Sequence, residues 1–170
     1  MPRLQYFRMP PTVNHRLYRS DVRFGHQNQE TTLQYLDSIF TVMLNKPVQV
    51  KEFKKNSSTF DFYIPNENIL IELKSRRCTI EAYPTQIVGM NKINKGRKYM
   101  NKGYRVFYCF LIMNSFDEEK MDLYIMEDNK LKDYTTRLLG NNSRGDKKSE
   151  CAVIDNKELT HVTSFTINPI

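Results

Sequence analysis

Residues 60–74 read FDFYIPNENILIELK, and the place where the chain turns inside them decides the architecture. Pro65, Asn66, Glu67 and Asn68 are turn formers between two β-prone runs, TFDFYI and NILIEL, so the stretch reads as a hairpin with a four-residue loop. That loop sets Ile64 against Ile69, Tyr63 against Leu70, Phe62 against Ile71, Asp61 against Glu72 and Phe60 against Leu73. Side chains alternate between faces, so Phe60, Phe62, Ile64, Ile69, Ile71 and Leu73 share a core face while Asp61, Glu72 and Lys74 share the other. Two like charges directly opposite, with Cβ atoms roughly 5 Å apart, destabilise a sheet unless something cationic lies between them. A divalent ion is one such compensator, because hard cations take carboxylate oxygens. Lys74 and other basic side chains on a solvated face are another, and a register slip of one residue would put the two acids on different faces.

Outward from the hairpin, apolar Leu33, Leu36, Ile39, Phe40, Met43 and Leu44 recur at helical spacing, which predicts a helix over 29–44. Lys46-Pro47 ends it, and VQVKEF at 48–53 alternates as a strand, completing a meander with the hairpin. Pro84 suits a first helical position, so 85–101 reads as a second helix with Gln86, Met90, Ile93, Arg97 and Met100 along one stripe. Gly89 and Gly96 weaken that helix; they would allow a sheet or phosphate backbone to come close, but plain tight packing explains either glycine more readily. After the stop at Gly103, YRVFYCFLIM reads as a buried central strand and DLYIME, 122–127, as a further one. ECAVID and SFTINPI close the chain as strands around a turn or short helix at 157–161. Residues 1–27 hold Pro2, Pro10 and Pro11, show no sustained period and read as an irregular basic arm; 28–170 read as a single domain.

The net charge is +7, and its distribution points to a polyanionic partner. Lys92, Lys95, Arg97, Lys98, Lys102 and Arg105 fall in an interval, 82–116, that contains no acid. The arm sets Arg3, Arg8, Arg16, Arg19 and Arg23 against the single acid Asp21, with Tyr6, Phe7, Tyr18 and Phe24 interleaved; a phosphate clamp and a segment draped over the domain fit it equally. Arg144, Lys147 and Lys148 lie in GNNSRGDKKSE, 140–150, which reads as a mobile loop. Cys78, Cys109 and Cys151 are odd in number and widely spaced, as in an intracellular protein with reduced thiols. His15, His26 and His161 match no zinc spacing, no apolar run is long enough to span a membrane, and MPRLQYFRMPP lacks the apolar core of a secretory signal.

The order helix, three-strand meander, helix, strand, with Asp61 in the second strand and Glu72-Leu73-Lys74 in the third, resembles the PD-(D/E)XK nuclease superfamily, which includes restriction endonucleases, Holliday-junction resolvases and recombination exonucleases. The resemblance implies an α/β fold with a restriction-endonuclease-like α-β-β-β-α-β core over about residues 28–113, a mixed central sheet flanked by helices, and a C-terminal extension, 114–170. It makes Asp61 the motif aspartate, Glu72 the (D/E), Leu73 the X and Lys74 the K, with Phe60 in place of the proline that precedes the aspartate. It further implies Mg²⁺ or Mn²⁺ held by Asp61, Glu72 and the Leu73 backbone carbonyl, and hydrolysis of DNA phosphodiesters in repair, recombination or processing. Glu30 resembles the acid that many members bring to the metal from the first helix, although a favourable interaction with the helix N-terminus accounts for it too. Gln86 resembles a polar residue of the following helix, and Lys92, two turns further along, is a third contributor. Lys95, Arg97, Lys98 and Arg144 are the expected phosphate contacts. Similarity to junction resolvases adds a homodimer as an expectation, and the tail, with LYIMEDNKLKDY and GNNSRGDKK, looks like small nuclease-like proteins of large DNA viruses of eukaryotes. A nuclease-like fold that binds DNA or assembles without turnover is the rival reading. A third, an RNA binder with exposed stacking aromatics, is disfavoured because Phe60, Phe62, Phe107 and Phe110 fall in strands that read as buried.

Overall fold

The computed structural model describes residues 11–54, 58–114, 120–140 and 147–166. The chain is α/β. Helix α1 (Pro11–Leu44) is followed by β1 (Lys51–Glu52), β2 (Phe62–Ile64) and β3 (Ile69–Thr79). Then come β4 (Thr85–Gly89), α2 (Met90–Met100), β5 (Arg105–Met113), β6 (Lys120–Glu127), β7 (Thr135–Leu139), β8 (Ser149–Asp155) and β9 (Thr160–Thr166). Six strands form a mixed sheet in the order β1-β2-β3-β5-β6-β9, and β4-β8-β7 form a second sheet. β3 and β5 run parallel, so the connection between them must cross over, and β4 and α2 supply the crossing. No helix among the described residues is long and apolar enough to cross a membrane.

Both helices end on a residue in the left-handed region. At the end of α1, Asn45 (φ 53°) donates to the Val42 carbonyl at 3.2 Å and Lys46 to that of Thr41 at 3.2 Å. At the end of α2, Gly103 (φ 87°) donates to Met100 at 3.0 Å and Tyr104 to Tyr99 at 3.2 Å. These paired bonds satisfy carbonyls that the helices leave open and turn the chain back toward the sheet. Beyond α1, Thr41 Oγ1 accepts from Val48 N at 3.2 Å and Asp37 Oδ1 from Val50 N at 2.7 Å, which ties the approach to β1 to the helix.

The hairpin register is the expected one, Ile64 with Ile69, Tyr63 with Leu70 and Phe62 with Ile71. Asn66 (φ 67°) and Asn68 (φ 51°) take the left-handed positions in its loop. Asparagine tolerates that conformation better than a branched residue would. The two sides of the large sheet then differ. Phe62, Ile64, Ile69, Ile71, Leu73, Phe107, Cys109 and Leu111 pack under Leu36 and Phe40 of α1. Leu70, Val106, Tyr108, Phe110 and Ile112 face Ile93 of α2 and Val88, Ala152 and Ile154 of the small sheet. β5 is buried from Val106 to Met113 because both its faces are covered.

Several expectations change. Residues 11–27, expected as irregular, are helical: Pro11 occupies the first helical position, where its missing N–H costs nothing. The strand expected over 48–53 shortens to Lys51–Glu52. Pro84 opens a strand, since TQIVG pairs with β8 residues far along the chain, Gln86 opposite Ile154 and Val88 opposite Ala152, and the second helix starts only at Met90. Phe60 lies with the α2-side core and not beside Phe62, because the β2 ladder stops at Phe62. β7 had no signal in hydrophobic alternation, being exposed along most of its length, whereas its neighbour β8 is the strand expected at ECAVID.

Candidate functional site

The ladder's end shapes the site. Asp61 N donates to Ile71 O at 3.0 Å, and Asp61 Oδ2 accepts from Leu73 N at 2.8 Å, so the carboxylate satisfies a β3 amide beyond the last paired residue of β2. Asp61 is therefore adjacent to Glu72 without being its ladder partner. Glu72 points to the α2 side with only 1% exposure, and in register with it on β5 stands Tyr108. Two ammonium groups meet its carboxylate: Lys74 Nζ at Oε1, and Lys92 Nζ at Oε2, 3.0 Å away. Lys92, in the first turn of α2, also donates to the Thr59 carbonyl.

A carboxylate this buried is tolerable because it is paired and hydrogen-bonded. The cost falls on its neighbour. Burial, reinforced by the negative charge of Glu72, raises Asp61 to about 6, against the opposing pull of the Leu73 N–H, Lys74 and Lys92. Asp61 lies near enough to Glu72, Lys74 and Lys92 to feel their charges, but outside the ladder and not directly opposite Glu72 as expected, and the lysines meet Glu72 on a largely buried face and not a solvated one.

The remaining predicted residues divide. Glu30 is exposed on α1, whose buried stripe covers the opposite side of the sheet from Glu72. Among the described residues no three of His, Cys, Asp and Glu come together, so Glu30 does not join the acid pair. Gln86 lies on β4 and not on a helix; it is 4% exposed and its Nε2 donates to Asn156 Oδ1 at 3.3 Å. Asn156 in turn holds Ile80 O at 3.0 Å and Tyr83 O at 2.7 Å, so Gln86 belongs to a structural junction closed to a polyanion. Arg97 turns inward, donating to Lys132 O and lying 5.3 Å from the Tyr134 ring centroid. Lys95 and Lys98 are exposed on α2. Arg144 lies outside the described residues.

The Thr59 carbonyl, which receives Lys92, was invisible in the sequence, since any residue supplies such a group. The sequence marks Lys92 as a contributor from the second helix, but not its pairing with Glu72. The chain matches no protein-family model, no curated protein and no solved structure.

Proposed function

We propose that the protein is a metal-dependent deoxyribonuclease of the PD-(D/E)XK kind, hydrolysing DNA phosphodiesters in repair, recombination or processing. The observation that carries the reading is the convergence of Asp61, Glu72, Lys74 and Lys92 at the junction of β2, β3 and α2. Two things support it further. The helix, the antiparallel β1-β2-β3 meander and the return of β5 parallel to β3 follow the order that the resemblance implies. The donor set also suits Mg²⁺ or Mn²⁺, because two neighbouring carboxylates, one of them raised toward protonation by burial and by the other's charge, are relieved by a shared hard cation.

When bound, the ion would supply a water of lowered pKa and offset charge on the phosphate. The chain's own residues do the rest. Asp61, Glu72 and the Leu73 carbonyl would hold the ion. Asp61 is aimed by the Leu73 N–H, which leaves its Oδ1 for a ligand. Glu72 cannot give the same oxygens to a cation and to both ammonium groups, so Lys74, partly exposed, is the group available to a phosphate oxygen or to the attacking water. Lys92 keeps the Thr59 carbonyl as an anchor. Lys95 and Lys98 extend the positive surface along α2 for backbone contacts that weaken with salt. The three thiols are free, in keeping with an intracellular setting.

A second reading has its own observation: both oxygens of Glu72 are already ion-paired, as in a nuclease-like fold that binds DNA or assembles without turnover. One assay separates them. Purified protein is incubated with linear, nicked, single-stranded and four-way-junction DNA and Mg²⁺ or Mn²⁺. The nuclease reading expects cleavage that disappears in Asp61→Asn and Glu72→Gln; cleavage unchanged in both would falsify it, and DNA binding without any cleavage would favour the second.

A further inference from the structure

At the β1 edge of the large sheet lies a groove of about 780 Å³. Its wall includes Thr59, whose carbonyl receives the Lys92 ammonium that also pairs with Glu72, so one side chain links the groove to that carboxylate. Tyr63, in β2 and two residues beyond Asp61, also lines it. Three partly buried aromatic side chains contribute: Phe53, Tyr63 and Tyr99. Phe53 and Tyr63 have ring centroids 4.5 Å apart at 37°. Three lysines, Lys51, Lys54 and Lys95, surround them against the single acid Glu52, and Lys95 Nζ lies 5.9 Å from the Tyr99 ring centroid.

Rings beside ammonium groups in a concave surface are what an unpaired nucleotide needs. Its base finds a π-face and its phosphate finds a cation, with no demand on base identity. A paired base offers no face, since both are stacked within the duplex. The size agrees: roughly 300–1,000 Å³ is the range of pockets that enclose a small molecule, which suits a nucleotide or two and excludes a double helix. Phe60, Phe62, Phe107 and Phe110 are buried and play no part; the stacking groups are at the sheet edge.

We infer that this groove binds an unpaired polynucleotide strand and so directs the acid pair to single-stranded segments, ends or flaps in preference to intact duplex. The inference rests on the nuclease reading for the role of the carboxylates, but binding is measurable without it. In EDTA, fluorescence anisotropy of the full chain is recorded with a labelled oligothymidine, an oligouridine and a DNA duplex of equal length. The expected result is at least about tenfold tighter binding of a single strand than of the duplex, with Phe53→Leu and Lys95→Glu each weakening the single strand by about tenfold. Whichever single-stranded oligomer binds more tightly identifies the sugar. Equal affinity for the duplex, or single-strand affinity untouched by both substitutions in protein that still unfolds cooperatively, overturns the inference. Metal-dependent cleavage that needs Asp61 but prefers duplex would keep the nuclease and remove the groove. Strand binding with no cleavage under any divalent metal would keep the groove and remove the nuclease.

Discussion

The two faces of β3 and β5 are built from the same strands and carry opposite contents. Toward α1, Ile69, Ile71, Leu73, Phe107, Cys109 and Leu111 form an apolar layer that Leu36 and Phe40 close, with the Phe40 and Phe107 rings edge-on at 5.1 Å. Toward α2, the alternate positions hold Glu72, Lys74 and Tyr108 among the apolar residues. Deeper on that side, Asp128 is 4% exposed and accepts from Tyr134 Oη at 2.6 Å. Tyr108 Oη, Arg97 Nε and Asp128 Oδ2 are buried there without a hydrogen-bonding partner in the protein. Burial raises Tyr108, with the Asp128 charge adding to it. Helix α1 also buries polar groups, Thr32, which donates to Asn28 O, and Asn28, whose side-chain amide has no partner in the protein, but the buried carboxylates, Glu72 and Asp128, lie on the α2 side. Under the proposed function, this division gives the α1 side mainly stability and the carboxylates of the α2 side the chemistry.

The sharpest way to break this division is Phe40→Ala. With a fully buried ring removed from the apolar face, chemical unfolding should show a loss of about 3–5 kcal/mol, while the cleavage rate per folded molecule stays unchanged. A lost cleavage rate in folded protein would couple the two faces.

The converse substitutions come next. Asp61→Asn and Glu72→Gln should lower cleavage by about 10²–10³-fold or more, the first with near-native stability and the second with some loss, since Lys74 and Lys92 lose their counter-charge while the protein still folds. Collapse of the fold in either would make the acids structural. Between the faces in size stands Gly96→Val. A Cβ at Gly96 would already meet Tyr108 Oη at 3.2 Å and Val106 Cγ1 at 3.3 Å, so a branched side chain must push α2 off the sheet. About 1–3 kcal/mol of stability should go, and cleavage should fall too, because Lys92 rides on the same helix.

The hairpin register was legible because alternation and a turn-forming loop agree, and Asp61 and Glu72 followed from it. Lys74 on the Glu72 face followed as well. The exit of Asp61 from the ladder did not, because it depends on a side chain capping the Leu73 amide. Gln86 misled for a different reason. Pro84 fits the start of a helix and of a strand alike, and only the distant β8 decides between them. Pro11 obeys the same local rule that failed at Pro84, and there a helix does begin. The groove aromatics are not legible in the sequence, because Phe53 and Tyr63 read as ordinary strand residues and only the edge of the sheet distinguishes them.

The smallest effects concern protons. Asp61 titrates at about 6 in the folded chain against 3.8 as its ordinary value. In that window the folded protein holds the proton more tightly than the unfolded one, so stability falls as pH rises through it, and above it the buried charge remains a cost. Asp61→Asn removes that cost while keeping an oxygen for the Leu73 N–H. Without divalent metal at about pH 7, its Tm should therefore rise by roughly 2–4 °C, and by nothing at pH below the window. An unchanged or lower Tm at neutral pH would contradict the raised carboxyl. Cleavage by the unaltered protein at limiting Mg²⁺ should correspondingly decline below pH about 6, by as much as tenfold per unit, since a cation must displace the Asp61 proton.

The most direct measurement is calorimetric titration of Mn²⁺ into the unaltered chain, Asp61→Asn and Glu72→Gln, without nucleic acid. Binding of one ion in the unaltered chain, lost in both variants, is the predicted result. No detectable ion, or one bound equally by all three proteins, would contradict a shared cation between these carboxylates.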